Sequence, residues 1–494
     1  MSTTPSILII GAGFAGLGMA LELRRAGIDT FTIVERAADL GGVWRENTYP
    51  GAACDVPSPL YSWSFAPKTD WPRRFSEQRD IHDYIRSVAT EYDLISRIRF
   101  GTEVTDAEFD EAQGIWKIRT TTGDPLTADI LIPAVGQLSR PALPDIPGVG
   151  TFSGPAFHSA QWNHEIDLTG KRVACIGTGA SAIQYIPQIQ PQVGHLTLFQ
   201  RSAAWILPKF DTEYTPRHHK MFRRFPITQL AERFAIWLFF EVMALALTDA
   251  QWLRGPAVAI ANRYRAHQVP NPELRATLTP DYAPGCKRAL FSNDYLPALT
   301  QPNVTVETTT IEAITPTGLR TTDGVHHEAD VIIYGTGFKG TEFLAPMTVS
   351  GAGGRKLTDV WSPEGARAYL GISVPAFPNM FLMYGPNTNV GSGSIIYMLE
   401  CQARYIRQAV QHLSTHPGTA IAARPTAEQS WDDWLQPRLA RTPWNLCSSW
   451  YRNASGRITN NWPGATLLFH RKTRHFDPTA YDTYPAASPA DQPL

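Results

Sequence analysis

A continuous apolar run, Ser6-Ile-Leu-Ile-Ile10, leads directly into Gly11-Ala-Gly13-Phe-Ala-Gly16, and the same arrangement returns at Lys171 to Ala182. An apolar run without polar alternation suits a strand covered on both faces of a parallel sheet. Leu17 to Arg25 reads as a helix closed near Gly27, and Thr30-Phe-Thr-Ile-Val34 as a second strand ending in Glu35. Strand, glycine turn, helix, strand and acid together form a dinucleotide-binding fingerprint in its required context. Gly11, Gly13 and Gly16 permit close approach of a pyrophosphate, the helix N-terminus stabilises it, and Glu35 takes the ribose hydroxyls.

The second copy differs in an informative way. Lys171 to Ile176 is the strand, Gly177-Thr-Gly179-Ala-Ser181-Ala182 the turn, and a helix runs from Ala182 towards Ile189. Its second strand, Leu196 to Phe199, ends at Gln200-Arg201 where the first copy has an acid. An acid favours a free ribose 2′-hydroxyl, whereas an arginine accommodates a 2′-phosphate. The first site therefore suits FAD and the second NADPH, with Gly177, Gly179, Ser181 and Arg201 as its candidate contacts. Alanine at 182 stands for the third glycine, which the fingerprint tolerates.

At 494 residues the chain exceeds one ordinary core. The fold class read here is α/β, with two Rossmann-like dinucleotide-binding domains and a helical insertion. Residues 1–146 and 330–480 form the FAD domain, and 147–208 and 280–329 the NADP domain. Residues 209–279, where strand signals cease, form the insertion; 481–494, rich in proline and alanine, form a flexible tail. Arg140 to Pro147 is the first linker. Asp330-Val-Ile-Ile-Tyr-Gly335-Thr-Gly337 echoes the strand ending at Gly136 and marks the expected return to the first domain. Pro378 to Tyr384 reads as a strand and Ser394 to Gln411 as a helix.

Composition excludes several classes. A formal net charge of −1 gives no electrostatic case for nucleic acid or an acidic membrane surface. Ala235 to Leu247 is strongly apolar but is interrupted by Glu241 and too short to span a bilayer. A packed helix is expected, with no stable membrane insertion; loose membrane attachment is the alternative. Ile7 to Ile10 reads as a strand, not a secretory signal. The 5 cysteines are scattered, with no C-x-x-C. This argues for reduced thiols in a cytoplasmic protein, against a disulfide framework and against a dithiol flavin reductase. No metal is called for, and oligomeric state is left open.

Leu40-Gly-Gly42-Val-Trp44, Tyr49-Pro50-Gly51 and Asp55 form a second turn-rich region whose glycines would admit a flat ring. Val104, Gly337 and Asn389, on or beside predicted strands and loops, join Gly42, Trp44 and Asp55 as candidate cofactor contacts. Two nucleotide sites in one chain imply hydride transfer from nicotinamide to flavin. Without a dithiol the next acceptor is molecular oxygen, giving a flavin C4a-peroxide that must be kept dry.

Phe152, Gly154, His158 and Trp162 spell F-x-G-x-x-x-H-x-x-x-W. In this motif the chain resembles the Type I Baeyer–Villiger monooxygenases, flavoproteins related to the flavin-containing monooxygenases. Gly42-x-Trp44 with Tyr49-Pro50-Gly51 and Asp55 is similar to a second motif of that family. Gly285-Cys-Lys287-Arg288 is similar to the segment carrying its active-site arginine, and Ser449-Trp450-Tyr451 to the segment placing a tryptophan against NADP. The likeness runs from about Ile7 to Gly464; Asn163 departs from the family's usual proline or aspartate.

The resemblance implies oxygen insertion beside a ketone carbonyl to give an ester or lactone. In that reading Arg288 is the catalytic cation, Asp55 orients it, and Lys287 and Arg201 bind the nicotinamide nucleotide, with Trp450 against it. On residues alone His158 is open between a linker residue, a core residue and a base; the family's placement of the motif favours a hinge. The runner-up is a heteroatom oxygenase forming N- or S-oxides, and a different class is a flavin-bound redox sensor or oxidase. The predicted partners are a small-molecule ketone (or heteroatom compound) and dioxygen.

Overall fold

The computed structural model describes residues 4–447 and 449–485. Two parallel sheets carry the fold. In the first, the strands run in the order Ile98–Arg99, Phe31–Val34, Ile7–Ile10, Ile130–Pro133. Because successive side chains point to opposite faces, Ile7 and Ile9 pack with Leu17 and Leu21 of the helix Phe14–Arg25 and with Leu399 and Tyr405 of the helix Ile395–Ser414. Leu8 and Ile10 face the other way, towards Val104, Trp116 and Phe377. That second layer is a sheet ordered Thr348–Ser350, Val104–Asp110, Ile115–Thr120, Leu126–Ala128. The apolar run read from the sequence is thus buried on both sides, as a parallel strand requires.

The second sheet repeats the design in the order Val304–Glu307, His195–Phe199, Arg172–Ile176, Val331–Tyr334, Ala156–His158. Val173, Cys175, Val331 and Ile333 face one core, and Ala174, Ile176, Ile332 and Tyr334 the other. This corrects one expectation. The strand Val331–Tyr334 is not the return to the first unit: it hydrogen-bonds between Arg172–Ile176 and Ala156–His158. The return follows it. Leu131 donates to the Asn379 carbonyl, Phe381 to Leu131 and Met383 to Pro133, so residues 378–384 run along the edge of the first sheet, though they form a single bridge at Met380 and not the strand expected.

The stretch expected to be a helical insertion holds the helices Pro216–Arg224, Pro226–Thr248, Arg254–Gln268 and Pro272–Thr277. Among the described residues no helix is long and apolar enough to cross a membrane. Two further expectations are corrected. Tyr481–Pro485 pairs antiparallel with Thr419–Ala423, so the tail is ordered that far; the remainder of the predicted tail, 486–494, lies outside the described residues. Cys286 and Cys447 form a disulfide, while Cys54, Cys175 and Cys401 are free and buried. The pairing joins residues separated by 161 positions, which no local spacing announces.

Candidate functional site

Each glycine loop follows the buried end of a parallel strand. Gly11 sits at φ +105, a left-handed value that favours glycine, and a side chain on Gly16 would run into the Gly11 carbonyl oxygen at 1.9 Å. Gly13 caps the helix Phe14–Arg25 without any side-chain acceptor, leaving the first backbone N–H groups for a ligand. Glu35 is buried and holds the loop: its Oε2 accepts from Ala12 N at 2.9 Å and its Oε1 from Ala37 N at 3.0 Å. Gly42 lies against Gly13, where an added Cβ would come to 3.2 Å of the Gly13 Cα, so the two turns leave a slot only backbone can line. Trp44 donates its indole N–H to the Tyr61 hydroxyl at 3.0 Å. Val104 is buried in the core of Ile10 and Val34. These features fit an adenine dinucleotide whose pyrophosphate meets the helix N-terminus.

The second loop repeats the geometry. Gly177 has φ +109, and Ser181 precedes the helix Ala182–Ile189 without capping it. Thr178 Oγ1 donates to the Ser202 carbonyl at 2.8 Å, and Lys287 Nζ donates to the Ser202 hydroxyl at 2.7 Å. Burial, and then the charge of Arg201, hold Lys287 below its usual range. Neither Lys287 nor the exposed Arg201 forms an ion pair among the described residues. The charge of Asp281 acts on Lys287 the other way without forming an ion pair with it, and two neighbouring cations free of direct ion pairs suit a 2′-phosphate.

Between the two loops stands the one charge pair the sequence singled out. Arg288 Nε donates to Asp55 Oδ2 at 2.7 Å, and the two side chains are 29% and 26% exposed. Burial pushes the Asp55 carboxyl up, but the adjacent guanidinium outweighs it and holds the group below the usual carboxylate range. Asp55 in turn raises Arg288 further above its ordinary value. Sequence reasoning missed Lys209. It lies over the Phe75 ring at 5.0 Å, burial lowers it, and its charge reaches Asp55. A lysine in an apolar stretch gives no signal of such proximity.

Arg288 forms part of the wall of an apolar cleft enclosing about 840 Å³ measured out to its open mouth. Phe240, Met243 and Leu247 of the long insertion helix, Val258 of the next, and Trp444 and Tyr451 near the C-terminus complete it. Tyr451, which the sequence placed merely beside Trp450, is buried and lines the cleft; Trp450 is 40% exposed and lies over Gly340. The disulfide Cys286–Cys447 joins the two loops that carry Arg288 and Tyr451. Asn389 is already held: its amide accepts from the Tyr384 hydroxyl and donates to Asn461, both at 2.7 Å. Gly337 is open on its Cβ side at φ +83.

The Phe152 to Trp162 motif lies away from that cleft, along the edge of the second sheet. Gly154 leaves no room for a side chain, since a Cβ would meet the Asp330 carbonyl at 2.6 Å and the Phe152 ring at 2.8 Å. His158 ends the edge strand; its Nδ1 accepts from Ala160 N at 3.1 Å and its ring packs edge-on to Phe338 at 5.5 Å. Burial holds its pKa below the ordinary value. Trp162 packs on Tyr185 at 5.4 Å, and Tyr185 on Tyr49 at 6.2 Å. Tyr49 donates to Gln184 at 2.9 Å. The motif therefore touches, through Tyr185, the same loop that carries Asp55.

The chain is similar to known proteins over most of its length. A family pattern described as pyridine nucleotide-disulphide oxidoreductase matches residues 8–224. A Baeyer-Villiger monooxygenase of Streptomyces coelicolor is 45% identical over 478 residues, covering 96% of this chain and 92% of that protein. Among solved structures, an oxidized steroid monooxygenase bound to NADP superposes with a TM-score of 0.85 at 31% identity, covering 96% of this chain and 97% of the other. A complex of OTEMO with FAD and NADP gives a TM-score of 0.86 at 25% identity, covering 98% of this chain and all (100%) of the other.

Proposed function

The chain belongs to the Baeyer–Villiger monooxygenase family, and from that premise we propose that it inserts one oxygen atom from dioxygen beside the carbonyl of a small apolar ketone, giving an ester or lactone. It is a flavoprotein that uses FAD and NADPH. We assign FAD to the Gly11–Gly16 loop with Glu35, and NADPH to the Gly177–Ser181 loop with Arg201 and Lys287. Held by those residues, FAD would supply a hydride acceptor for NADPH and the means of activating dioxygen.

The observation that carries the ketone reading is Arg288 at the cleft wall, held through Nε alone. Its terminal amino groups have no protein acceptor among the described residues. A guanidinium keeps its charge across the working pH range, and its planar fork can bind two oxygens at once. At the cleft wall such a cation stabilises negative charge as it develops on a substrate oxygen. Asp55 orients the fork and, being acceptor-only when ionised, fixes which edge turns to substrate. The apolar side chains exclude water and bind the hydrocarbon part. The hinge role falls to Phe152, Gly154, His158 and Trp162. The heteroatom alternative has less need of a fixed cation facing the cleft.

Purified holoenzyme given NADPH, labelled dioxygen and a ketone panel should yield products heavier by one labelled atom at the ester oxygen. Sulfoxides or N-oxides alone, with no ester from any ketone, would overturn the proposal.

A further inference from the structure

The helix Pro226–Thr248 is apolar on its outer face as well as on the inner one, where Phe240, Ile236 and Trp237 pack on the core. On a surface helix the apolar stripe ordinarily faces the core and the polar stripe faces water. Here Gln229 donates to the Lys68 carbonyl, Arg233 to Ser62, and Glu241 accepts from Thr466 N and Leu467 N, all on the inner face. The outward face carries Ile227, Leu230, Phe234, Leu238, Val242 and Leu245, spaced by three or four residues and all exposed. Phe234 is 59% exposed, and Trp252, in the turn that follows, 80%. A contiguous apolar face of this kind on a chain with abundant charge elsewhere marks an interaction surface.

Charge says which surface. The preceding helix Pro216–Arg224 exposes Arg217, Lys220, Arg223 and Arg224, and the following one exposes Arg263. None of these forms an ion pair among the described residues. Across 216–268 the one exposed acid is Asp249. A chain with a formal net charge of −1 thus gathers unpaired cations beside its apolar stripe, which net charge alone concealed. An apolar face flanked by Arg and Lys is the chemistry of a helix lying in an anionic lipid interface. The helix does not cross: no described helix is long and apolar enough.

We propose that the face formed by Pro216–Arg224, Pro226–Thr248 and Arg254–Gln268 docks on an anionic lipid surface. Phe239 is 54% exposed on this face and also lines the Arg288 cleft. Lipophilic ketones would therefore reach the cleft from the bilayer side, a consequence that rests on the function proposed above; the docking itself does not.

The test is sedimentation of the full-length holoprotein with vesicles of phosphatidylcholine alone or mixed with phosphatidylglycerol, read as protein in the pellet. Binding is expected to the mixed vesicles only and to fall with added salt. Phe234→Ser with Leu238→Ser, and separately Lys220→Glu with Arg224→Glu, should each weaken binding roughly tenfold or more. Both pairs of positions lie outside the cleft wall, and retained flavin content verifies folding; the exposed charge-reversal pair keeps the test valid if the serine pair misfolds. No pelleting at low salt, or pelleting indifferent to phosphatidylglycerol, overturns the proposal. So does a wild-type dimer that Leu238→Asp converts to monomer, since a second copy would then cover the face.

Discussion

Asp55 accepts the Nε–H of Arg288 at 2.7 Å, and no other side-chain acceptor for that guanidinium exists among the described residues. The arginine is held at one edge and available at the other. Arg288→Ala should leave FAD bound and reducible by NADPH while product formation falls about 100- to 1000-fold, the loss expected when a donor to developing oxygen charge is removed. Arg288→Lys should recover little of it, because an ammonium lacks the fork. Stopped-flow flavin reduction and product analysis separate the two steps; unchanged ester yield would remove Arg288 from the mechanism.

The same pair sets a pH signature in stability. The Asp55 carboxyl is held below its unfolded value despite burial. Its contribution is therefore fully present above the unfolded pKa of about 4 and is lost as pH falls through the lower folded value. Asp55→Asn should cost about 1–3 kcal/mol, less than a fully buried pair because solvent reaches both groups. The difference in unfolding free energy between wild type and variant should be constant from about pH 5 to 8 and shrink below about pH 4. A difference that grows on acidification would refute the assignment.

Arg201 and Lys287 stand beside the second glycine loop and, among the described residues, neither forms a direct ion pair. Replacing Arg201 by alanine should raise the NADPH KM roughly 10- to 100-fold, equivalent to about 1.4–2.8 kcal/mol, with the NADH KM nearly unchanged. Lys287→Ala should act in the same direction. An equal loss for both nucleotides would mean that neither residue reads the 2′-phosphate.

These outcomes bear on how far the chain can be read before it is folded. Strand, glycine loop, helix and terminal Glu35 or Arg201 are contiguous in sequence, so both nucleotide units were legible. Asp55 and Arg288 were legible only because each sits in a recognisable motif; their contact spans 233 positions. Where a signal is purely long-range, reading stops. Val331–Tyr334 looks like any buried strand, and only its parallel partners place it in the second sheet. The apolarity of Ala235 to Leu247 suggested a packed helix, yet hydrophobicity does not say which face turns inwards. Here Glu241 went in, and Leu238, Val242 and Leu245 stayed out.

His158 was the residue with the most open role, and the structure moves it away from the cleft. Its imidazole caps a turn and packs on Phe338 at the end of the second sheet. His158→Ala should retain stoichiometric FAD and slow NADPH-dependent turnover about tenfold, by loosening the junction that positions the two units. Burial depresses its pKa, which favours the neutral ring. The wild-type rate should accordingly show no ionisation of His158 above the ordinary imidazole range. Release of FAD from the variant would argue for a cofactor contact instead.

The disulfide joins loops whose other residues face the cleft, Arg288 on one and Tyr451 on the other. Of the 5 cysteines, Cys54, Cys175 and Cys401 are free but buried. The folded, unreduced protein should therefore react slowly with a thiol reagent, the denatured unreduced protein should titrate three thiols, and prior reduction should raise this to 5. Cys447→Ser removes the tether while leaving Lys287 and Arg288 in place. A crosslink over so long a loop restricts the unfolded chain, and its loss should lower unfolding free energy by about 2–4 kcal/mol. Reductant should destabilise wild type by the same amount and leave the variant unchanged. Five reactive thiols without reduction would instead restore the picture of a fully reduced chain, with the Arg288 loop untethered.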